Sequence, residues 1–230
     1  MSRENMTFFA ATSAGVILLF TIGLSRHDWL VEDGPVESLG AAGFAAASLL
    51  ALSTAFRKSV LLTGTERRLL VGTGGLSLIV FLSEISFGAR IFGIQMPPMR
   101  GGGEFDGGHD IVIVLVRHVK DAGSTGVLLA VAGAGLLLST AVALLYLFRK
   151  RALAIVSHVL SRAFEFRLVV AVGILASAVI LDLTTSHKAA VLEEVLEFSA
   201  SIVLILAVSA LLRPNAGARI ANPTRSSGSY

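Results

Sequence analysis

The sequence predicts an all-α integral membrane protein, a bundle of six transmembrane helices with both termini in the cytoplasm. Hydrophobic residues make up 54% of the 230 residues and charged residues only 15%, against roughly 25% charged residues in an ordinary soluble domain. The apolar residues form runs of about 16 to 22 residues, which suit membrane-spanning helices and are too long for barrel strands. The basic residues gather in alternate connections between these runs, as expected of cytoplasmic loops.

The apolar runs place the six spans at 7–24, 38–56, 69–87, 127–148, 168–183 and 195–212. The first is interpreted as an uncleaved span, because no small-x-small cleavage site follows it. Residues 1–213 are therefore expected to form one six-helix transmembrane domain. Residues 214–230 are rich in Gly, Ser and Pro, which predicts a polar, disordered cytoplasmic tail.

The charge distribution predicts the orientation. With the N-terminus inside, thirteen of the 19 Lys and Arg residues lie in inner segments, and thirteen of the 16 Asp and Glu residues lie in outer segments. Basic residues near the inner leaflet pair with anionic lipid, so the sequence pI of about 9.7 needs no nucleic-acid partner. The expected partner is the lipid bilayer, together with a membrane-protein partner or a second copy of the chain.

Two features constrain the packing and the outer surface. Small residues crowd the second span, with Gly40 and Gly43, and the third, with Gly72, Gly74 and Gly75; such residues let helices approach closely, so both spans are expected inside the bundle. The long outer loop contains an apolar run, 111–116, that is too short to span. We expect a short interfacial or re-entrant segment near 109–120, which could cap the outer surface.

Acidic motifs precede the second span and end the third. Glu32, Asp33 and Glu37 flank a Gly-Pro pair. For Asp33 and Glu37 individually, the positive end of a helix dipole is the favoured explanation, but it accounts for one or two acids and not for three. Glu84 lies near the outer end of an otherwise apolar helix, where an unpaired carboxylate is costly. It is expected to pair with Arg90 after a bend at Gly88, or to bind a ligand.

A third acidic motif begins the sixth span. Glu193, Glu194 and Glu197 are spaced three and four residues apart, so their carboxylates crowd one side of a helix and repel one another. A bound metal ion, a basic side chain such as Arg90 or Lys188, or protonation of one Glu would relieve this repulsion.

Histidines accompany the acids on the outer side. They are His27, His109, His118 and His187. Histidine with Asp or Glu is the ligand mixture of zinc, manganese and iron sites, although His27 and His118 also fit plain surface positions. The ligands predicted for a divalent metal ion are Glu32, Glu84, His109, Glu194 and Glu197.

The acidic motifs together resemble a family. Glu32-Asp33-Gly34 with Glu37, the segment from Glu84 to Gly93 (Glu-x-Ser-Phe-Gly-x-Arg-x-Phe-Gly), and Glu193-Glu194-x-x-Glu197 are similar to motifs in a loose group of uncharacterised bacterial polytopic membrane proteins. The group has Trp where Phe87 stands and Asn where Asp110 stands. The resemblance implies a bacterial inner membrane and supplies no activity.

Two functions remain in competition. Coupled transport is disfavoured because no charged residue lies in the middle of any predicted span. The first hypothesis is a cation- or metal-binding site at the outer, periplasmic membrane face, serving catalysis or ion sensing. The alternative is a non-enzymatic accessory or assembly subunit whose outer acids pair with basic residues. The sequence leaves open whether the protein is an enzyme.

Overall fold

The secondary structure of the protein is helical throughout the part that the structure describes. The structure is a computed structural model, and it describes residues 1–25, 34–57, 62–95, 98, 110–184 and 186–212. The helices of these ranges are α1 (Arg3–Ser25), α2 (Pro35–Phe56), α3 (Gly64–Glu84), α4 (Ala89–Phe92), α5 (Asp110–Asp121), α6 (Gly123–Leu147), α7 (Arg149–Ser161), α8 (Ala163–Asp182) and α9 (His187–Leu212). The predicted all-α class is confirmed for these residues.

Five of the described helices are long and apolar enough to cross a membrane, namely α1, α2, α6, α8 and α9. They coincide with five of the six predicted spans. The remaining predicted span is the third, 69–87, and helix α3 covers most of it. Charged residues lie near both ends of this helix, at 66–68 and at 84. Length and composition therefore support an integral membrane protein with at least these five helices in the bilayer.

Helix α3 ends three residues before the predicted end of its span. The chain breaks after Glu84 into a short 3-10 turn, Ser86–Gly88, whose φ angles are all positive: 50° at Ser86, 52° at Phe87 and 91° at Gly88. Left-handed backbone suits glycine and is strained for Ser and Phe. The bend predicted at Gly88 is confirmed, and α4 starts directly after it.

The core of the bundle lies between α2, α8 and α9. Helix α9 packs against α8 and α2, α3 packs against α2 and more lightly against α9, and α1 packs on α9. One apolar cluster joins Phe44 of α2 to Ala171 of α8 and Leu204 of α9. A second joins Leu70 of α3 to Val208 of α9. Helix α9 therefore holds the other core helices together.

Small residues create the tightest helix contacts. A Cβ built on Gly43 would lie 2.4 Å from Oγ and 2.8 Å from Cβ of Ser201, and one on Gly74 would lie 2.6 Å from Cγ of Leu52. The Ser48 hydroxyl donates a 2.9 Å hydrogen bond to the carbonyl oxygen of Gly74. The predicted interior position of the second span is thus confirmed. In α3 only Gly74 makes such a contact, since Gly72 and Gly75 have open space beside them.

Helix α6 stands apart from this core. None of its residues is buried, and its main contacts within the described residues are to the neighbouring helices α5 and α7. An apolar helix of 25 residues that is exposed on every side requires a lipid environment or a partner helix. The apolar run expected near 109–120 forms α5, which packs on the start of α6.

Ion pairs fix one end of the bundle. Arg167 is buried at the start of α8. It donates a 2.7 Å hydrogen bond to a carboxylate oxygen of Glu4 and a 2.9 Å hydrogen bond to the carbonyl oxygen of Leu206. Its guanidinium also lies 4.7 Å from the centre of the Phe8 ring. These contacts bring the starts of α1 and α8 to the end of α9. We call this the basic end; the opposite end holds Glu37, Glu84 and the acids of α9.

The start of α3 joins the basic end through a capping box. The Glu66 backbone N–H donates to Thr63 Oγ1 at 3.2 Å, and the Thr63 backbone N–H donates to Glu66 Oε2 at 2.8 Å. Arg162 lies between Glu66, at 3.2 Å, and Glu165, at 3.4 Å. The Thr63 N–H and hydroxyl and the Arg162 charge stabilise the carboxylate, so they hold the pKa of Glu66 below its usual value of 4.5 although partial burial opposes this.

The basic end also contains an element that the sequence did not predict. The stretch between the predicted spans 127–148 and 168–183 was given no secondary structure, and its residues Arg149–Ser161 form α7. Hydropathy detects spans and is insensitive to short helices at the membrane surface. The predicted tail 214–230 lies outside the described residues.

The Gly43 contact yields a test of the packing. Gly43→Ala is expected to destabilise the protein by about 1–3 kcal/mol, because the new Cβ must displace the rigid Cβ of Ser201. Thermal unfolding in detergent measures the effect. Gly72→Ala is the matched control and should be neutral or slightly stabilising, since nothing lies within 4 Å of its Cβ position. Equal effects of the two substitutions would contradict the close approach of α2 and α9.

The capping box yields a test in pH. The pKa of Glu66 is lower in the folded protein than in the unfolded chain, so its contribution is complete above pH 4.5 and is lost as the pH falls through the folded value. Thr63→Ala is expected to cost about 0.5–2 kcal/mol at pH 7 and less in acid. Thermal unfolding of the parent and of Thr63→Ala at several pH values from 7 to 3 measures the cost at neutral pH and its decrease in acid. A Thr63→Ala effect that is independent of pH would show that Glu66 is not held by Thr63.

Candidate cation site at the acidic end

Helix geometry brings the first acid of the site into place. Helix α2 begins with Pro35 as its first helical residue, after an extended Gly34, and Glu37 lies in its first turn. Carboxylates in this position interact favourably with the free N–H groups and the positive end of the helix dipole. The helix-start interpretation of Glu37 is therefore confirmed, and it leaves the carboxylate partly buried beside α9.

The second acid is fixed by the break in α3. Glu84 is the last residue of that helix and is partly buried. The turn that follows has left-handed backbone, and Ser86 in it is only 2% exposed. The hydroxyl of Ser86 has no hydrogen-bond partner among the described residues. The helix thus ends at Glu84, and the turn after it stays packed against the bundle.

Helix α9 carries the other three acids. It begins at His187, eight residues before the predicted sixth span, so Glu193, Glu194 and Glu197 occupy its second and third turns. All three are partly buried, while Val191 and Val195 beside them are fully buried. The helix therefore presents its acids next to an apolar contact surface, where water screens charges less than at an open surface.

Four carboxylates from three helices act on Glu197. The groups that act electrostatically on Glu197 are the carboxylates of Glu84, Glu194, Glu193 and Glu37. Among the described residues, none donates a hydrogen bond to Glu197 or forms an ion pair with it. Glu197 is therefore the centre of the cluster, and we call the five residues the acidic cluster.

Repulsion within the acidic cluster determines its chemistry. Like charges in a partly dehydrated site disfavour simultaneous ionisation, and either a bound cation or a proton relieves the repulsion. Carboxylate oxygens are the preferred ligands of hard cations such as Ca²⁺ and Mg²⁺. Asp182, at the end of α8, is a further partly buried carboxylate.

The predicted ligand set stays a prediction. Of its members, Glu84 and Glu194 act electrostatically on Glu197. Glu32 and His109 lie outside the described residues, as does His27, and the side chain of Arg90 is likewise not described. Within the described ranges, no group of three or more His, Cys, Asp or Glu residues is arranged to hold a metal ion. The divalent metal ion thus stays a prediction.

Two members of the cluster were not among the predicted ligands. Glu37 was interpreted mainly as a helix-start residue, and Glu193 was recognised only as a source of repulsion. A signal for Glu193 existed, since it precedes Glu197 by four residues and shares its side of the helix. No comparable signal existed for Glu37, because its proximity to Glu197 depends on how α2 packs against α9.

Comparison with known proteins adds no further residue to the site: no protein family, curated protein or solved structure matches this chain. The assignment of the acidic cluster rests on its geometry and electrostatics.

The repulsion can be tested directly. Glu197→Gln removes one charge from the like-charged pairs with Glu193 and Glu194, so it is expected to stabilise the cation-free protein by roughly 0.4–1 kcal/mol. Thermal unfolding in detergent with chelator, in alkaline buffer where all members of the cluster are ionised, measures the change. Asp121→Asn, at an exposed position of α5, removes the same charge outside the cluster and should have no effect. A Glu197→Gln variant less stable than the parent would contradict the repulsion.

Proposed function

We propose that the acidic cluster binds a cation at the outer, periplasmic face of the bacterial inner membrane. Glu84, Glu194 and Glu197 supply the central carboxylates, and Glu32 and His109 complete the ligand set of a divalent metal ion. Such a site serves ion sensing or metal-dependent chemistry on an envelope substrate. No residue is assigned a catalytic role.

The convergence of carboxylates on Glu197 is the observation that carries this proposal. Acids from α2, α3 and α9 act on a single partly buried carboxylate. A cation site draws several carboxylates toward one point, since several oxygens must surround one ion. An assembly surface would instead leave each acid to face a separate basic residue of the partner.

The orientation follows from the distribution of charge. The basic end carries Arg67, Arg162 and Arg167, and basic residues accumulate on the cytoplasmic side. The acidic cluster at the opposite end then faces the periplasm, with α3 as the third of six spans. The motif resemblance to bacterial polytopic membrane proteins supports the inner membrane.

An accessory or assembly subunit is the alternative, and α6 favours it. This helix is exposed along its whole length, so it offers a surface for a partner helix or a second copy. On this proposal the outer acids pair with basic residues of the partner. The alternative predicts no bound ion in the purified protein.

Metal analysis separates the two proposals. The protein purified in detergent is expected to contain a near-stoichiometric divalent cation by mass spectrometry, and its removal by chelation should lower the thermal stability. Glu84→Gln and Glu194→Gln should each abolish cation binding while the protein stays folded, because each removes one of the charged ligands. Asp121→Asn should bind as the parent does.

Two results would overturn the cation site. One is normal ion content in both glutamine variants, which would place any bound ion elsewhere. The other is a protein that contains no divalent cation and whose stability does not respond to added Ca²⁺, Mg²⁺, Mn²⁺ or Zn²⁺. The second result would favour the accessory subunit and direct the search to a partner protein.

A further inference from the structure

Helix α7 has two chemically distinct sides. At about 100° per residue, its apolar side chains fall on one side of the helix; they are Ala152, Leu153, Ile155, Val156, Val159 and Leu160. Arg149, the first residue of the helix, is the one charged residue on that side. The opposite side holds Lys150, Arg151, Ala154, Ser157, His158 and Ser161. A helix with this division lies at a boundary between a polar and an apolar medium.

The protein itself covers only part of the apolar side. Ala152, Val159 and Leu160 are partly buried, whereas Leu153 is 67% exposed and Ile155 is 64% exposed. Val156, near the middle of the apolar side, is 51% exposed. Something outside the described residues must therefore cover these side chains.

The position of α7 in the chain limits what covers them. A single residue separates it from α6 on one side and from α8 on the other. Both of these neighbouring helices are long and apolar enough to cross a membrane. Both ends of α7 consequently lie at the same membrane surface. Side-chain contacts hold it there: Asn5 of α1 donates a 3.0 Å hydrogen bond to the carbonyl oxygen of Leu160, and His158 lies 4.0 Å from Glu165 of α8.

The charges next to α7 match an anionic surface. Tyr146, in the last turn of α6, is exposed, and the guanidinium of Arg149 lies 5.4 Å from the centre of its ring. Tyr is typical of the membrane–water interface, so this contact marks the level at which α6 leaves the hydrocarbon. Lys150 and Arg151 follow directly, at the depth of the lipid headgroups.

From these observations we propose that α7 lies in the membrane surface as an amphipathic helix and binds anionic phospholipid headgroups through Lys150 and Arg151. Its exposed apolar side chains insert between the acyl chains. The site is at the basic end and is independent of the acidic cluster. It makes the orientation of α7, and through Asn5 and Glu165 the positions of α1 and α8, responsive to the lipid headgroup.

Tryptophan fluorescence tests the insertion. The chain has a single Trp, so Trp29→Phe provides a background without natural signal. In this background, Val156→Trp places a probe on the apolar side of α7, and Ala154→Trp places the matched control about 160° away on the polar side. The protein is reconstituted into vesicles of phosphatidylcholine and phosphatidylglycerol in equal parts. Lipids with brominated acyl chains should quench the probe at residue 156 strongly and the probe at residue 154 weakly.

The headgroup preference is measured with the same probe. Quenching of the probe at residue 156 by brominated phosphatidylglycerol, relative to brominated phosphatidylcholine, gives the local preference for the anionic lipid. Lys150→Gln and Arg151→Gln should each lower this preference about fivefold, as expected for one basic side chain near an anionic surface. Lys120→Gln, in α5 before α6, is the charge-matched control and should leave it unchanged.

Each outcome decides. Equal quenching at residues 154 and 156, or none at 156, would overturn the insertion of α7 and indicate a protein partner or solvent around it. Strong quenching at 156 with no preference for phosphatidylglycerol would overturn the headgroup site. Thermal unfolding of each variant in detergent verifies that the bundle is intact. If Val156→Trp does not fold, Ile155→Trp takes its place, because residue 155 is more exposed than residue 156.

Discussion

The close approach of α2 to α9 is the contact on which the rest of the structure depends. It depends on Gly43, where a Cβ would overlap the Ser201 side chain; Gly40 lies beside the backbone of Phe198, where a Cβ would make ordinary contact at 3.7 Å. Lipid gives no hydrophobic driving force between helices, so such van der Waals contact and buried polar groups hold them together. The same two helices carry Glu37 and Glu197. The packing contact therefore also brings the acids together.

The two ends of the bundle differ in how their charged side chains are arranged. At the basic end, opposite charges are matched: Arg167 pairs with Glu4, and Arg162 with Glu66 and Glu165. At the acidic end, carboxylates surround Glu197 and no described residue pairs with it. Matched charges need no external ligand, whereas gathered carboxylates favour the uptake of a cation or a proton. This difference directs the search for function to the acidic end.

The segment α5–α6–α7 forms a second, looser part of the molecule. Its central helix contributes nothing to the buried core, and its flanking helices are amphipathic. A span held by lipid and by its two neighbours can move relative to the core more readily than a packed helix. Helix α7 links this segment to α1 and α8 through the hydrogen bond of Asn5 to Leu160 and the contact of His158 with Glu165.

The sequence by itself determined the membrane class, the helical secondary structure and the gathering of acids at one depth. These depend on local quantities: the length of an apolar run, and the spacing of Glu193, Glu194 and Glu197 along one helix. Composition could also indicate close packing of the second span, because glycines are the signal for it. Hydropathy could not reveal α7, since its apolar and basic residues average out along the chain.

Tertiary structure alone decided which residues meet. That Glu37 and Glu84 join Glu197 depends on the helix pairs that pack, and packing joins residues far apart in sequence through matched surfaces that no local pattern encodes. The same reason explains why Gly74 makes a tight contact and Gly72 does not, although both lie in the same helix. It also explains why α6, as apolar as any other span, remains outside the core: apolarity places a helix in lipid, and only complementary surfaces place it against another helix.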